Sequence, residues 1–490
     1  MLLLGIDLGT SSIKVSVIDS QTQGCLCTVQ YPEFETAIIA EHPGWAEQSP
    51  EIWWENVQQA IIKANSTGLY DPKAVGAIGI AYQMHGLVLV DKEKKVLRNS
   101  IIWCDSRAVE IGSNAFQTIG EEKCLNDLLN SPGNFTASKL AWVKQNEPEI
   151  FEKVYKVMLP GDFIGMKLSG EINISVSSLS EGVFWDFTRN ELSKDVLNHY
   201  GFPEDIFPEI QPVFSDHGSL SAEIAARLSL KQGIPVSYKA GDQPNNALSL
   251  NVLKPGEVAA NGGTSGVIYG VSDQLTCDQQ SRINSFAHVN FSNEQKRIGV
   301  LLCINGTGIL NRWTRDVIAP EIAYDTMNAE ATAISLGSNG LRILPFGNGA
   351  ERMLKNKNIG AHFHHIDLNL HSRAHIFRAV QEGIAFAFRY GLDIMRENGM
   401  KPGLIRAGKA NMFSSELFIE AFVNSCGVPV ELYSNEGSIG AAIGAGIGVG
   451  EFSTENAFSN LKPLRKIEPQ KSEDYEVVYQ EWKELLRGHL

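Results

Sequence analysis

Cysteine is scarce and carries no pattern: the seven in this 490-residue sequence stand at 25, 27, 104, 124, 277, 303 and 426, with no Cys-x-x-Cys among them. That spacing argues against a disulfide-stapled scaffold and a thiolate zinc site, so reduced thiols in a cytoplasm are the expectation. Long apolar runs are missing as well. The best, Ile439 to Val449, is 11 residues long, Gly-rich and bounded by Glu436 and Glu451. A membrane-spanning helix needs roughly 20. The opening Met1-Leu2-Leu3-Leu4-Gly5-Ile6-Asp7 has no basic stretch and its apolar run stops at Asp7, so it does not read as a secretory signal. Basic charge is in deficit, with 42 Lys plus Arg against 56 Asp plus Glu and a net charge of −14. A field of that sign disfavours nucleic acid and anionic membranes, and neither is expected as a partner. It leaves room for an anionic small ligand, because backbone N–H groups or a metal ion outweigh distant surface charge. Two phosphate motifs are also absent: there is no G-x-x-x-x-G-K-[ST], and the run Gly437 to Gly450 holds no G-x-G-x-x-G.

What is present is ordinary globular material. Hydrophobic residues make up 43% and charged ones 20%, enough for a core, and the length predicts two to four domains at roughly 150 residues each. One long-range echo occurs: residues 9–19 read GTSSIKVSVID and residues 263–273 read GTSGVIYGVSD, an offset of 254. Each copy is a small-residue turn followed by a β-rich run near the start of one half. Leu2 to Ile6 supplies a strand before the first turn, which completes a hairpin. Ala77 to Ala81, Gly86 to Val90 and Val236 to Ala240 also read as strands. Pro50 to Ala64, with Ser49 as N-cap, reads as a helix. So does Arg373 to Asn398, where Phe377, Val380, Ile384, Phe388 and Leu392 recur at steps of three and four. Gly440, Gly444 and Gly448 suit a tightly packed helix, and the charged stretch 467–487 reads as a helical surface element. Interleaved strands and helices predict an α/β fold. The expected division is 1–245 and 246–490, with a hinge near 240–250.

A nucleotide site needs N–H donors crowded around phosphate oxygens and a carboxylate to help hold Mg²⁺. Gly9-Thr10-Ser11-Ser12 offers small residues and hydroxyls, with Asp7 just upstream and Lys14 as a cationic contact; Gly262-Gly263-Thr264-Ser265-Gly266 is a second such loop. Either loop alone reads as a plain hairpin turn. The pair, with an aspartate beside the first, points to phosphate. Asp242 follows a strand and a glycine and precedes the polar helix start Gln243-Pro244-Asn245-Asn246, a position that suits either an N-cap or a catalytic carboxylate.

Taken together, Asp7-x-Gly9-Thr10-Ser11, Gly241-Asp242-Gln243, Gly262-Gly263-Thr264-Ser265-Gly266 and Glu436-Gly437-Ser438-Ile439-Gly440-Ala441-Ala442 resemble the FGGY carbohydrate kinases. Lys139-Leu140-x-Trp142-Val143 is similar to part of that family's first signature, and the motifs run in family order across nearly the whole chain. Within the family, Gln83-Met84-His85-Gly86 and Trp103-x-Asp105-x-Arg107 are most like the xylulose kinases. The resemblance implies two actin-like, ribonuclease-H-like lobes with ATP and sugar meeting in the cleft, and closure around the sugar. It implies ATP and Mg²⁺ as donor and cofactor, and D-xylulose as acceptor at its 5-hydroxyl. Asp242 becomes the base that takes the hydroxyl proton, and Asp7 a Mg²⁺ partner, directly or through water. Thr10, Ser11, Lys14, Gly263 and Thr264 become phosphate contacts. The adenosine segments are Gly306-x-Gly308 with Asn311, and Ala407-Gly408-Lys409-Ala410-Asn411, which give Gly306, Asn311, Gly408 and Asn411. A homodimer is common among such kinases and is the expectation for assembly.

Polyol recognition needs groups that both donate and accept, and Gln83, His85, Asp105 and Gln243 qualify, while Met84 and Trp103 offer carbon faces beside Gly86. Without the resemblance His85 reads as a packed histidine and Trp103 as core. Departures from the family pattern fall at Ala407-Gly408-Lys409, where close backbone approach to the nucleotide is expected at Gly408 and not at its neighbours, and at Asn134 and Met353-Leu354, away from the catalytic groups, where they bear on sugar identity. Ribulose, gluconate, fuculose and glycerol are alternative acceptors. An actin-fold ATPase moving a protein partner is the reading from another class, but it gives no reason for Gln83-Met84-His85-Gly86. His362, His364, His365, His371 and His375 cluster without cysteine, and only His371 and His375 have helical ligand spacing. The stretch reads as a loop leading into the long helix, with metal binding as the alternative.

Overall fold

In the computed structural model, which describes residues 1–434 and 436–490, the apolar opening of the chain forms strand Leu2–Leu8. It turns at residues 9–12 and returns antiparallel as Ile13–Asp19. The Gly9 N–H closes the turn on the Ser12 carbonyl at 3.1 Å. Cys25–Tyr31 continues the meander on one side. On the other, Val75–Tyr82 runs parallel to Leu2–Leu8, and Val236–Gly241 runs parallel to Val75–Tyr82. The strand before the Gly-Thr-Ser turn therefore lies mid-sheet, between its hairpin partner and two parallel strands.

The same topology is built a second time. Glu257–Gly262 pairs antiparallel with Gly266–Ser272 across the second Gly-Thr-Ser turn, and parallel with Leu404–Gly408, which pairs parallel with Val430–Tyr433. The seven-stranded sheet runs Asn284–Ala287, Ile298–Ile304, Gly266–Ser272, Glu257–Gly262, Leu404–Gly408, Val430–Tyr433, Arg465–Ile467. The sequence echo is thus a repeated α/β unit, in keeping with the duplicated fold that the resemblance implies.

The chain divides into one unit of residues 1–251, 286–298 and 436–461, and another of 252–285, 299–435 and 462–490. Helix Gly437–Gly448, late in the sequence, thus belongs to the first unit, unlike the expected split of 1–245 and 246–490. Its small residues explain this. An ideal β-carbon on Gly5 falls 1.8 Å from the Ser438 carbonyl oxygen, and one on Gly79 falls 2.0 Å from that of Ala441. From the helix side, a β-carbon on Gly444 meets the Tyr238 ring at 2.6 Å and one on Gly448 the Ser237 carbonyl at 1.9 Å. Backbone thus lies directly on backbone, and only glycine permits that approach.

Local expectations needed small corrections. The helix after Ser49 is Pro50–Asn65, but the Ser49 side chain makes no capping bond, and Pro50 sets the first turn instead. The strand expected from Gly86 begins at Val88 and ends at Val90, because His85 adopts φ +62° and the chain turns there. Helix Arg373–Glu397 starts with reciprocal bonds between Ser372 and His375. The last helix, Ser472–Arg487, is more than a surface element: Tyr475, Tyr479, Trp482 and Leu486 are fully buried within the second unit. Among the described residues, no helix is long and apolar enough to cross a membrane.

Candidate active site

The parallel strands of the first unit end where the chemistry-bearing side chains lie. Asp7 is near the end of Leu2–Leu8 and is paired in register with Ala81. Asp242 opens helix Asp242–Ser249 directly after Val236–Gly241, with Gly241 at the N-cap position. Asp242 is therefore the first helical residue and not the cap, and the first turn of a helix favours its negative charge. Burial pushes the Asp242 carboxyl up to about 7; the Asp7 charge adds to the push, and hydrogen bonds from Gln243 oppose it. Burial likewise lifts Asp7 to about 6, against the pull of Lys14 and with a further push from Glu436. Two carboxylates that repel one another in a poorly hydrated place form a donor set suited to a hard divalent cation.

Gly437 starts the glycine-rich helix against Asp7: an ideal β-carbon there lies 2.3 Å from Asp7 Oδ2. Lys14 donates to Glu436 Oε1 at 2.7 Å, so its ammonium is paired, though partly exposed. Thr10 joins the nucleotide loop to the expected sugar residues. Its hydroxyl donates to Gln83 Oε1 and accepts from Trp103 Nε1, each at 3.0 Å. Gln83 in turn donates to Gln48 Oε1 at 3.1 Å and is 2% exposed. Its amide is thus a brace for the loop. Ser11 is exposed, and its carbonyl accepts from Thr36 N–H.

The sequence reading of Trp103 as core is overturned: the ring is 50% exposed, because it sits on the turn after strand Ser100–Ile101. Asp105 shows the opposite. It is fully buried, and its carboxylate accepts from the Arg107 guanidinium at 2.7–3.0 Å and from Ala46 N–H at 2.6 Å. Those partners occupy the oxygens that sugar contact requires. The Arg107 guanidinium in turn lies 3.8 Å over the Trp45 ring and 4.7 Å from the centre of Trp142. Met84 packs on Gly241, with its Cγ 2.6 Å from an ideal β-carbon there, and Gly86 faces Pro160 at 2.6 Å. His85 Nδ1 lies 3.0 Å from the Glu181 carbonyl oxygen. Gln243 is partly exposed beside Asp242.

Two residues escape a reading of the sequence. Lys139 stands there only as a letter of the signature. Its ammonium, fully buried, donates to the His85 carbonyl at 2.8 Å and to the Ile102 carbonyl at 2.9 Å. One cation thus ties the turn carrying His85 and Gly86 to the turn carrying Trp103. Burial drives its pKa down to about 7, against the nearby Asp105 and Cys104. Glu181, at the end of helix Val176–Glu181, accepts from His85 N–H at 3.4 Å, and its buried Oε2 has no hydrogen-bond partner. Burial holds that carboxyl far above its ordinary range, and the Asp242 charge pushes the same way. No sequence motif marks Glu181.

The second unit gathers the other expected nucleotide residues. The Gly263 and Thr264 carbonyls accept from Gly308 N–H at 3.0 Å and Ile309 N–H at 3.1 Å, which fixes this turn to the start of helix Gly308–Ile318. Asn411, at φ +53°, lies with its amide nitrogen 3.7 Å from an ideal β-carbon on Gly263. Asn311 is nearly buried, with an unpartnered Oδ1. Gly306 packs against strand Arg342–Phe346, where an ideal β-carbon falls 1.5 Å from the Pro345 carbonyl oxygen. Gly408 ends strand Leu404–Gly408, partly exposed.

Comparison with known proteins bears on the family and the fold. Residues 2–249 match the N-terminal domain of the FGGY family of carbohydrate kinases, and residues 258–449 match its C-terminal domain. The chain is 29% identical over 456 residues to the xylulose kinase of Bacillus subtilis, covering 92% of this chain and 89% of that one. It is 27% identical over 449 residues to the xylulose kinase of Escherichia coli, covering 90% and 88%. Among solved structures, the xylulose kinase from Rhodospirillum rubrum superposes with a TM-score of 0.90 at 26% identity, over 100% of this chain and 99% of that one. Glycerol kinase from Plasmodium falciparum with ADP shares the fold, with a TM-score of 0.90 at 19% identity over 100% and 98%.

Proposed function

The chain belongs to the FGGY family of carbohydrate kinases, and from that premise we propose that it transfers the γ-phosphoryl group of ATP to the 5-hydroxyl of D-xylulose. The observation that carries this reading is the placement of Asp242 on the first turn of a helix at a strand end, beside Asp7, with its carboxyl poised at about 7. A base with that pKa takes a proton near neutral pH without being too weak to hold it. The hydroxyl proton passes to Asp242 as the sugar oxygen bonds to the γ-phosphorus. The bond from that phosphorus to the β,γ-bridging oxygen breaks, and ADP leaves with the electron pair.

Phosphoryl transfer depends mainly on position and charge. Asp7 would hold Mg²⁺, directly or through water, and the ion would neutralise charge on the phosphates. Thr10 and the turn of Gly263 and Thr264 offer hydroxyl and N–H donors, while Asn311 and Asn411 offer amides to the nucleotide. Trp103 presents its exposed face, and His85 and Gln243 their polar edges, to the sugar. Lys139, Glu181 and Asp105 act as positioning residues behind them. The similarity to the xylulose kinases of Bacillus subtilis and Escherichia coli supports D-xylulose over other acceptors. Steady-state assays with Mg-ATP and D-xylulose, D-ribulose, D-gluconate, L-fuculose and glycerol test the reading. D-xylulose is expected to give the highest kcat/KM. Preference for another acceptor would correct the substrate alone, whereas ATP consumption independent of any sugar would overturn the kinase reading for this site.

A further inference from the structure

Another group of titratable side chains lies in the second unit, which holds neither Asp7 nor Asp242. Strand Gly360–His364 pairs antiparallel with Arg342–Phe346, with His362 opposite Leu344 and His364 opposite Arg342. Being two residues apart in a strand, His362 and His364 share a face. The third member comes from the other end of the chain: His489 follows helix Ser472–Arg487. Its ring centre lies 4.0 Å from that of His362 and 5.3 Å from that of His364. One ligand nitrogen from each of the three can be chosen so that all lie within 4.8 Å of one another, and all three side chains are partly buried. Lys357 bonds to the Leu490 carbonyl and pins the same tail.

The ring nitrogens are arranged as a ligand set. His362 Nε2 donates to the Ile359 carbonyl at 2.5 Å, which fixes its tautomer and leaves Nδ1 as the bare nitrogen. A histidine bonded in this way to backbone is the usual outer support of a metal ligand. His364 Nε2 and His489 Nε2 face one another at 3.3 Å. That separation is long for an N–H···N bond, and two nitrogens each about 2.0–2.1 Å from a tetrahedral zinc lie about 3.3–3.4 Å apart.

His371 and His375, further along the stretch, are committed elsewhere. His371 Nδ1 accepts from Asp367 N–H at 2.9 Å and its Nε2 lies 3.2 Å from the Asn339 carbonyl oxygen, while His375 Nδ1 accepts from Ser372 N–H at 3.1 Å. Among the described residues the remaining candidate group is Asp127, Asp186 and Asp195, in which Asp186 and Asp195 already pair with Arg189, Asp195 also with Lys123, and Asp127 accepts from the Thr188 hydroxyl.

We propose that His362, His364 and His489 bind one divalent transition-metal ion of the zinc class, which fastens the C-terminal tail to the hairpin of Arg342–Phe346 and Gly360–His364. Three imidazoles without oxygen ligands select against Mg²⁺, so this site is chemically separate from the one that phosphoryl transfer requires. The open fourth position takes water.

The test uses full-length protein stripped with chelator and dialysed against Zn²⁺ at pH 7.5, with excess Mg²⁺ and a non-chelating phosphine reductant. Bound zinc is counted by mass spectrometry, and the melting temperature is recorded with and without Zn²⁺. Wild type is expected to bind one equivalent that His364→Ala and His489→Ala each weaken at least tenfold, while His371→Ala keeps it. The zinc-dependent rise in melting temperature should disappear in the same two variants. Equal zinc content in wild type and in the His364→Ala/His489→Ala double variant would overturn the proposal, since the metal would then sit on thiols or elsewhere. So would an absence of bound zinc in wild type. Both variants are checked for folding by their zinc-free melting temperatures, and His489, in the terminal tail, can be altered without disturbing a core position.

Discussion

Replacing Asp242 by Asn should slow turnover and stabilise the ligand-free protein at the same time. In the unfolded chain the carboxyl ionises near 3.8, and in the folded protein at about 7. The folded state therefore holds a proton that the unfolded state has released across that interval, and stability falls as pH rises through it. A tenfold difference in proton affinity is worth about 1.4 kcal/mol, so an interval of roughly 3 pH units amounts to about 4 kcal/mol at most, about half of it between pH 5 and pH 7. Asparagine keeps the shape and loses the charge. Differential scanning calorimetry of wild type and Asp242→Asn at pH 5, 6.5 and 8 should show the variant melting higher at pH 8, with the advantage shrinking towards pH 5. The same variant should lose about 10²–10⁴-fold in kcat while still binding sugar. Equal melting temperatures at pH 8, or a difference that ignores pH, would refute the claim that the carboxylate is held in an unfavourable place. Near-normal turnover would remove it from the mechanism.

Gly437→Ala places a β-carbon 2.3 Å from Asp7 Oδ2; displacing that carboxylate should lower kcat on the order of 10²-fold and raise the Mg²⁺ needed for half-maximal rate, both read from metal titrations of initial rate. Glu181→Gln puts a neutral side chain where burial pushes the carboxyl well above its ordinary range and so disfavours the charged form; kcat/KM near pH 7 should stay within about threefold of wild type. A large loss near pH 7 would mean that the carboxylate form works. Asp162→Ala strands the buried Lys239, whose ammonium donates to Asp162 at 2.8 Å and to Asn173 at 2.7 and 2.9 Å. Urea unfolding should show a loss of about 3–5 kcal/mol, because removing one partner of a buried pair leaves the other uncompensated.

The parts of this molecule that can be read in sequence are those whose chemistry is local. Gly9-Thr10-Ser11 and Gly263-Thr264-Ser265 carry their turns in their own residues, and the strand flanking each follows from apolar runs. Asp242 is legible for the same reason, since strand, glycine, carboxylate and polar helix start are contiguous. Direction and partnership are not local. Trp103 and Asp105 are two residues apart, yet one ring lies half exposed and the other side chain is sealed beneath Arg107. Nothing in the spacing says which way the turn faces. Glu181 comes to His85 across 96 residues, and His489 to His364 across 125. Helix Gly437–Gly448 betrays its tight packing through its glycines, but the sequence does not say that its partners are Gly5, Gly79 and Tyr238.

The buried charges of the first unit also oppose one another in pH, and Lys139 allows the opposition to be measured. Its folded pKa lies at about 7, below its ordinary 10.5. Between those values the unfolded chain holds the proton and the folded one does not, so this group adds stability as pH rises, the reverse of Asp242. Lys139→Met should cost a constant amount for the bonds lost to the His85 and Ile102 carbonyls, plus a part that grows with pH. The growing part should start at about half of 1.4 kcal/mol per step of one in pH at pH 7 and approach the full value above pH 8, roughly 2.3 kcal/mol between pH 7 and pH 9. Melting curves of both proteins over that range separate offset from slope. A gap that stays constant from pH 7 to pH 9 would mean that the ammonium keeps its proton in the fold, and that its two carbonyls together with Asp105 outweigh the loss of water.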